Sequence, residues 1–302
     1  MGSVKPSYLR SYVEGQLSET ISVLKSKCSP CTICPHRCKV NRHLDASGSC
    51  HSKYLPKVAS VCPHFGEEPP LVGYYGSGTI FLSSCNLSCI FCQNYDISQM
   101  NSGVEVSISD LAHMMIRLQE RGCHNINFVT PTHMIAPIVE ALPEAIESGL
   151  SVPLVYNSGG YDDVNTLKML EGIFDIYMPD LKYMDEKTGF ELSGIPDYPE
   201  ILCRAIHEMY RQVGDLQINE QGIAIRGLII RHLILPDNLA GTDRAIEFIA
   251  DMSANSYLNL MDQYRPEYNA FDDKRMTRRI TSDEFSAAVD LARKHGLHRL
   301  AT

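Results

Sequence analysis

The chain has 302 residues, which is enough for one large α/β domain or two smaller ones and for a core that needs no disulfides. Its 27 basic and 36 acidic side chains give a net charge of −9, so broad electrostatic binding to nucleic acid or to anionic lipid is not expected. With 44% hydrophobic and 21% charged residues, the composition excludes a disordered or fibrous protein.

Cysteine is the unusual component of the chain, because nine of its 11 cysteines lie before residue 93. Such a density is typical either of disulfides in a secreted domain or of thiolates that bind metal in the reducing cytosol. Residues 1–27 contain no apolar stretch that resembles a signal peptide, and no segment is apolar enough to span a membrane. We therefore expect a cytoplasmic protein, without a membrane or nucleic-acid partner, whose thiolates bind metal.

The first predicted element is a short helix near Tyr8 to Lys25, and a stretch rich in Cys, Pro, Ser and His follows it. This stretch has few periodic apolar positions, so it is not expected to build a large core of its own. We predict that residues 1–75 form a small Cys-rich lobe that metal holds together.

The cysteines of this lobe permit two kinds of metal site. The run Cys28-x2-Cys31-x2-Cys34-x3-Cys38 has the spacing of ferredoxin clusters and favours an auxiliary 4Fe-4S cluster. Cys31, Cys34, Cys38 and Cys50 equally fit a tetrahedral zinc site around the turn-rich segment 41–49. Unligated thiols are the third alternative, and spacing does not decide among the three.

From Thr79 onward, short β-branched runs alternate with longer helical patterns, which is typical of β-α units around a parallel sheet. Six such units are fewer than the eight of a closed barrel. We predict that residues 76–302 form a partial (β/α)6 barrel, open and TIM-like, with ligands at the carboxyl ends of its strands. The predicted strands are Thr79–Ser83, Asn125–Thr130, Val152–Asn157, Asp175–Asp180, Ile225–Leu235 and Tyr257–Met261.

Two of the intervening helices have recognisable caps. Ser109 is the predicted N-cap of a helix whose Leu111 and Met115 lie on its buried face. Thr281 and Glu284 form the capping-box pattern of the last helix.

The sharpest functional motif is Cys85-Asn86-Leu87-Ser88-Cys89-Ile90-Phe91-Cys92, which follows the first predicted barrel strand. Three thiolates on one short loop can hold three irons of a 4Fe-4S cluster, whereas a cluster kept for electron transfer normally has four protein ligands. The missing fourth ligand leaves one iron open to a small molecule. A zinc loop is the alternative, but tetrahedral zinc needs a fourth nearby ligand.

This loop resembles the cluster loop of the radical S-adenosylmethionine (radical SAM) superfamily, including the aromatic Phe91, which lies near the adenine in that family. The resemblance extends from about Gly76 to Pro236 and is strongest to the activating enzymes of glycyl-radical enzymes, in particular to pyruvate formate-lyase activase-like paralogues. It includes the C-x2-C-P-x2-C-x-V-N-R segment from Cys31 to Arg42. It implies a 4Fe-4S cluster on Cys85, Cys89 and Cys92 and S-adenosylmethionine (SAM) as cofactor.

The resemblance also implies which further residues contact SAM. Asn94 matches an asparagine that contacts the cofactor in the activases, and Asp180-Leu181-Lys182 matches their D-L-K, whose charged groups lie at the methionyl carboxylate. Asn157 and Ser158 resemble part of their T-N-G and supply hydrogen bonds to the ribose or methionyl group. His232 is a further candidate, because its strand resembles a late family strand and the side chain is expected to face the barrel mouth.

The chain departs from the family at two places near the cofactor, of which the first concerns the amino group of the cofactor. Where the superfamily commonly has G-G-E-P, this chain has Thr130-Pro131-Thr132-His133. Pro131 has no amide hydrogen and a fixed φ, so the hydroxyls of Thr130 and Thr132 are the expected replacements. The activases also have an aspartate where this chain has Tyr156, which leaves a monovalent cation there undecided.

We therefore expect a radical SAM oxidoreductase of anaerobic chemistry, in which reduced flavodoxin or ferredoxin donates an electron and a 5′-deoxyadenosyl radical removes a hydrogen atom from a substrate. A glycyl-radical enzyme is one expected substrate. The alternatives are a small-molecule or peptide substrate, and an iron-sulfur electron carrier or scaffold that never cleaves SAM. The sequence identifies neither the substrate nor the oligomeric state.

Overall fold

The computed structural model describes residues 5–44 and 48–301. These ranges contain ten strands, joined in one mostly parallel sheet, and eleven α-helices. The strands are β1 (Lys57–His64), β2 (Ser77–Leu82), β3 (Val104–Glu105), β4 (Ile126–Val129), β5 (Leu154–Ser158), β6 (Ile176–Pro179), β7 (Gln217–Ile218), β8 (Ala224–Leu233), β9 (Tyr257–Met261) and β10 (Arg299–Ala301). The helices are α1 (Ser7–Val13), α2 (Gln16–Ser26), α3 (Pro69–Val72), α4 (Tyr95–Ser98), α5 (Ile108–Glu120), α6 (Ile135–Glu147), α7 (Val164–Met169), α8 (Glu186–Ser193), α9 (Tyr198–Val213), α10 (Thr242–Met252) and α11 (Ser282–Lys294).

The six predicted barrel strands are all present, as β2, β4, β5, β6, β8 and β9, and neighbours in that order pair in parallel. Strand β10 adds a further parallel strand beside β9. The predicted α/β fold, a partial TIM-like barrel, is thus confirmed. Because these strands run the same way, their carboxyl ends meet at one edge of the sheet, where open α/β sheets bind ligands.

The side chains of the barrel strands alternate between two buried clusters, as a parallel sheet covered by helices requires. Ile126 and Phe128 of β4 belong to the large cluster that also contains Leu111 and Met115 of α5. A smaller cluster fills the barrel interior and consists of Leu71, Val155, Ile176, Met178, Leu216, Ala224 and Ile229. The filled interior leaves the carboxyl edge of the sheet for a ligand.

The residues before 75 are joined to the barrel more closely than a separate lobe would be. Strand β1 pairs antiparallel with β2, from Val58↔Leu82 to His64↔Ser77, so the sheet begins before the predicted boundary. Because β1 contains Pro63 and has no alternating burial pattern, periodicity did not reveal it.

The helix predicted near Tyr8 to Lys25 is two helices. Gly15 separates α1 from α2 and adopts a φ of +80°, a conformation that favours glycine. Leu17 and Leu24 of α2 lie in the large core cluster, so the N-terminal segment packs against the barrel helices.

One helix cap differs from the prediction. Ser107, not Ser109, caps α5: its hydroxyl accepts the Asp110 N–H at 3.0 Å, and the Asp110 carboxylate accepts the Ser107 N–H at 3.2 Å. A capping box needs an acidic residue or a glutamine three positions after the N-cap, and Asp110 has that spacing from Ser107 but not from Ser109. The apolar periodicity of the helix does not indicate this. The predicted capping box of α11 is confirmed at Thr281 and Glu284. Over residues 5–44 and 48–301, no helix is both long enough and apolar enough for a bilayer crossing.

The barrel is not closed by strand pairing, since β3 and β10 are the ends of the hydrogen-bonded order among the described strands. The segment between β1 and β2 occupies the gap. Leu71 accepts a hydrogen bond from Asn125 Nδ2 at 2.9 Å, and Glu68 accepts one from Asn259 Nδ2 of β9 at 2.8 Å. We call this gap, where Gly66–Pro69 face β9 and β10, the seam.

Candidate cluster and cofactor site

The three-cysteine loop follows the carboxyl end of β2 and is tied to neighbouring segments by hydrogen bonds. The Ser88 N–H donates to the Ser193 carbonyl, at the end of α8, at 3.2 Å. The Asn86 side chain donates to the Tyr161 carbonyl at 2.7 Å. The loop has no regular secondary structure, and these hydrogen bonds to neighbouring segments give it a defined shape.

Cys85, Cys89 and Cys92 line one cavity of about 240 Å³ at the carboxyl edge of the sheet. Each sulfur has a polar neighbour: the Leu87 N–H at 3.3 Å from Cys85 Sγ, the Ser193 hydroxyl at 2.9 Å from Cys89 Sγ and the Ser98 hydroxyl at 3.1 Å from Cys92 Sγ. Hydrogen bonds to sulfur are one of the ways in which a protein tunes an iron-sulfur cluster.

The environment of these thiols fits metal binding. Burial raises the pKa of the Cys85 and Cys89 thiols, and the positive charge of Lys182 partly opposes this rise at Cys89. A metal that replaces the thiol proton turns such a group into a bound thiolate. Three sulfurs on one cavity wall, with a cation beside them, are a donor set that fits a 4Fe-4S cluster.

The other cavity walls come from the strand ends. Seven of the residues expected to contact SAM line the cavity, namely Phe91, Asn94, Thr130, Asn157, Ser158, Asp180 and Lys182. Asn94 stands at the N-cap position of α4, but its side chain makes no capping hydrogen bond to this helix. Gly159 brings β5 against the cysteine loop, because a Cβ there would lie 2.7 Å from Leu87 Cδ1.

Asp180 is held between two cations at the carboxyl end of β6. Lys182 Nζ donates to its Oδ2 at 2.7 Å, and Arg231 Nε donates to its Oδ1 at 2.7 Å. Burial alone would raise the pKa of Asp180, but the charges of Arg231 and Lys182 outweigh burial and lower the pKa below its usual value. The carboxylate therefore stays ionised and fixes both cations in the cavity wall.

Arg231 is the functional residue that the sequence reasoning missed, although its strand was singled out. It lines the cavity, and its Nη2 also donates to Asn157 Oδ1 at 2.7 Å. The expected position of His232 is wrong: the ring lies behind the strand, bonded to the Leu181 carbonyl at 2.7 Å and to the Thr242 hydroxyl at 2.9 Å. Successive side chains of a strand point to opposite faces, so only one of the two neighbours can reach the cavity.

Thr132 does not replace the missing G-G-E-P contacts in this structure. Its hydroxyl donates to Asp162 Oδ1 at 2.7 Å, and Thr132 is buried away from the cavity. Tyr156 and Ser158 also donate hydroxyl hydrogens to Asp162, each at 2.7 Å. Asp162 thus supplies a buried carboxylate beside Tyr156, the position at which the activases have an aspartate in the strand itself. Burial raises the pKa of Asp162.

The N-terminal cysteines also lie near one another. Burial raises the pKa of Cys31 and Cys34, and the neighbouring Cys38 and Cys50 raise it further. In the ranges that the structure covers, no group of three or more His, Cys, Asp or Glu side chains is arranged around a single metal ion. Residues 45–47 of the predicted zinc segment lie outside the described residues.

A buried arginine lies beside this cysteine group. Arg42 is 1% exposed, donates to the Lys53 carbonyl at 2.6 Å, and has an Nε without a hydrogen-bond partner in the described chain. Burial raises the pKa of Cys28 to about 11, while the charge of Arg42 opposes this rise. A buried cation beside several thiols favours their anionic, metal-bound form.

Comparison with known proteins agrees with this geometry. A family model described as the radical SAM superfamily matches residues 79–214. The chain is 33% identical to the uncharacterized protein MJ0674 of Methanocaldococcus jannaschii over 304 residues, which cover 97% of this chain and 81% of that protein. It is 22% identical to the uncharacterized protein MJ0808 of the same organism over 261 residues, 80% of this chain and 72% of that one.

Among solved structures, the chain is similar in fold to HydG, a maturase of the FeFe-hydrogenase. The TM-score is 0.51 at 14% sequence identity, and the match covers 74% of this chain. The matched part is 50% of HydG, so this chain spans about half the length of that protein. The chain thus contains a radical SAM superfamily domain over residues 79–214, which include the cysteine loop, and is similar to MJ0674 over nearly its whole length.

Proposed function

We propose that this chain cleaves SAM reductively and uses the product radical to take a hydrogen atom from a substrate. The observation that carries the proposal is one cavity whose wall contains the three loop cysteines together with Asp180 and Lys182. Cys85, Cys89 and Cys92 would hold a 4Fe-4S cluster there. This cluster would supply one electron to the sulfonium of SAM, whose C–S bond would break to give methionine and the 5′-deoxyadenosyl radical.

The protein's own residues bind and orient SAM. Lys182 pairs with the methionyl carboxylate, and Asp180 keeps Lys182 in position through the 2.7 Å contact to its Nζ. Phe91 packs near the adenine. Thr130 and Asn157 supply hydrogen bonds to the ribose and the methionyl group. Ser158 lines the cavity, but its hydroxyl is engaged by Asp162 and by the Gly160 N–H. Asn94 lies close to the third cysteine and contributes its amide.

Partners follow from this chemistry. Reduced flavodoxin or ferredoxin would supply the electron, in keeping with the expected cytoplasmic location. Activation of a glycyl-radical enzyme is the more specific candidate, because Asn94 and the Asp180-Leu181-Lys182 segment resemble the activases at the cavity wall. In that case the hydrogen atom would come from a backbone glycine of the partner.

We propose a second metal centre at Cys31, Cys34, Cys38 and Cys50. The four thiols lie close enough together for Cys38 and Cys50 to raise the pKa of Cys31 and Cys34. The buried cation of Arg42 beside them also supports this centre. Metal analysis of the purified chain distinguishes the forms. About eight irons per chain would indicate two 4Fe-4S clusters, four irons with one zinc would indicate a zinc site, and four irons alone would contradict the centre.

The decisive experiment is anaerobic reconstitution with iron and sulfide, followed by an assay for 5′-deoxyadenosine with SAM and dithionite. We expect the native chain to form 5′-deoxyadenosine and Cys92→Ala to lose this activity. Cys203→Ala, on α9 and not among the residues that line the cavity, is the matched control and should behave as the native chain. A native chain that forms none would contradict the proposed function.

A second experiment addresses the glycyl-radical candidate. The reconstituted chain is incubated with SAM, reductant and a candidate glycyl-radical enzyme, and the mixture is examined by electron paramagnetic resonance. A doublet signal of a glycyl radical would support activation. Turnover of SAM without that signal in any candidate would favour a small-molecule or peptide substrate.

A further inference from the structure

A second cavity lies at the seam, directly beside the cluster and cofactor cavity. Gly66–Pro69 form one side of it and strands β9 and β10 the other. Arg231, Met261 and Gln263 line both cavities, so the two cavities are neighbours. We call this second space the seam cavity. A molecule bound in it would be a neighbour of bound SAM.

Glu68, a residue that lines the seam cavity, has one carboxylate oxygen without a partner among the described residues. The Glu68 side chain is 2% exposed, and its Oε1 accepts the Asn259 Nδ2 hydrogen at 2.8 Å. Its Oε2 is buried and has no hydrogen-bond partner in the part of the chain described. Leaving a buried carboxylate oxygen without a donor costs free energy, so this position favours a ligand that brings a donor.

The charges around Glu68 indicate which donor fits. Glu67 also lines the seam cavity, and its Oε2 lies 3.4 Å from Arg231 Nη1. Arg231 is the single cation among the described residues that line this cavity, and it already donates to Asp180 and Asn157. Arg231 is thus shared among Asp180, Glu67 and Glu68. Even where Glu67 is protonated, Asp180 and Glu68 outnumber this cation, so the cavity wall favours a positively charged donor over an anion.

We propose that the seam cavity is the substrate site and that it takes a compound with an ammonium or guanidinium group, which donates to Glu68 Oε2. This inference rests on the proposed function, because it assigns SAM to the neighbouring cavity. The seam cavity is itself partly open to the surface, so a substrate can reach its site while the first cavity is filled. A free amine and a Lys or Arg side chain of a peptide carry the same chemistry.

The test is isothermal titration calorimetry of the anaerobically reconstituted full chain with SAM bound. The cationic probes are n-butylamine, butylguanidine and N-acetyl-lysine N-methylamide, and butyrate and n-butanol are the anionic and neutral counterparts. We expect saturable binding of a cation and none of butyrate. Glu68→Gln keeps the shape of the side chain and removes its charge, which should weaken cation binding about 10- to 100-fold. Glu120→Gln, an exposed carboxylate on α5, should change nothing.

The outcomes distinguish a peptide substrate from a small one, and the seam-cavity proposal from the proposed function. Tighter binding of the lysine derivative supports a peptide substrate, and tighter binding of the free amine or guanidine supports a small one. Equal cation binding by native chain and Glu68→Gln, equal binding of butyrate and butylamine, or no saturable cation binding would overturn the inference. If Glu68→Gln fails to fold, Glu68→Asp keeps the charge but withdraws it by one methylene and should also weaken binding. A chain that forms 5′-deoxyadenosine without preferring cations refutes this inference alone.

Discussion

The Ser193 hydroxyl lies 2.9 Å from the sulfur of Cys89 and donates to it, although 104 positions separate the two residues. Ser193 is the last residue of α8, and its carbonyl also accepts the Ser88 N–H at 3.2 Å. One residue outside the cysteine motif therefore sets both the shape of the loop and the surroundings of one sulfur. Such outer contacts orient metal ligands and tune the metal.

Ser193→Ala tests this contact. Loss of a hydrogen bond to a ligating sulfur removes stabilisation of the added electron, so we expect a more negative reduction potential of the reconstituted cluster. Anaerobic redox titration followed by electron paramagnetic resonance measures it. Ser148→Ala, at an exposed position beyond α6, should leave the potential unchanged. An unchanged potential in Ser193→Ala would show that Cys89 is not tuned by this hydroxyl.

Lys182→Met tests the assigned carboxylate contact of SAM. The variant removes one charge-assisted hydrogen bond, so the dissociation constant of SAM should rise about 10- to 100-fold while the iron content stays that of the native chain. Equilibrium binding and iron analysis on the same sample measure both. Lys187→Met, on α8 with a side chain 79% exposed, is the matched control. Equal SAM affinity in native chain and Lys182→Met would remove Lys182 from the binding site.

The elements that sequence reasoning predicted well have local signals. The six barrel strands and the cysteine loop are set by patterns within a few residues, and the structure brings the loop and the strand ends to one cavity. Strand β1 was missed because its pairing with β2 depends on residues distant in sequence and its own pattern is irregular.

The errors at the site have a geometric cause. Arg231 and His232 are neighbours on β8, so their side chains point to opposite faces of the sheet. The sequence does not say which face lines the cavity, and choosing the wrong face exchanges the two residues. The carboxylate beside Tyr156 comes from Asp162, in the loop that follows β5, so no motif at the strand itself indicates it. Glu68 reaches the barrel from a segment before the first barrel strand, which no local pattern connects to the site.

Tyr198→Phe tests whether the Tyr198 hydroxyl holds the carboxyl ends of β5 and β6 together. The buried Tyr198 hydroxyl lies 2.8 Å from both the Gly159 and the Asp180 carbonyls and accepts the Lys182 N–H at 3.1 Å. Its removal leaves buried backbone groups unpaired, which should lower the free energy of unfolding by about 1–3 kcal/mol. Urea denaturation measures this change. Tyr210→Phe, on the same helix α9, should alter the stability far less, and equal effects in the two variants would contradict a joining role for Tyr198.

Glu67 predicts a specific pH dependence of stability. Burial raises its pKa from 4.5 to about 7, although the charge of Arg231 opposes the rise. Because the folded chain holds this proton more tightly than the unfolded chain, the resulting stabilisation is fully present below about pH 4.5 and is lost as the pH rises through about 7. The linked change in the free energy of unfolding is up to about 3 kcal/mol.

Glu67→Gln imitates the protonated side chain at every pH and therefore removes this term. Relative to the native chain, the variant should gain stability as the pH is raised from about 5 to about 8, by up to about 3 kcal/mol. Urea denaturation of both chains across that range measures the difference, and Glu120→Gln should run parallel to the native chain. A variant that instead loses stability relative to the native chain as the pH rises would mean that Glu67 is ionised in the folded state and bound to Arg231 as a stabilising ion pair.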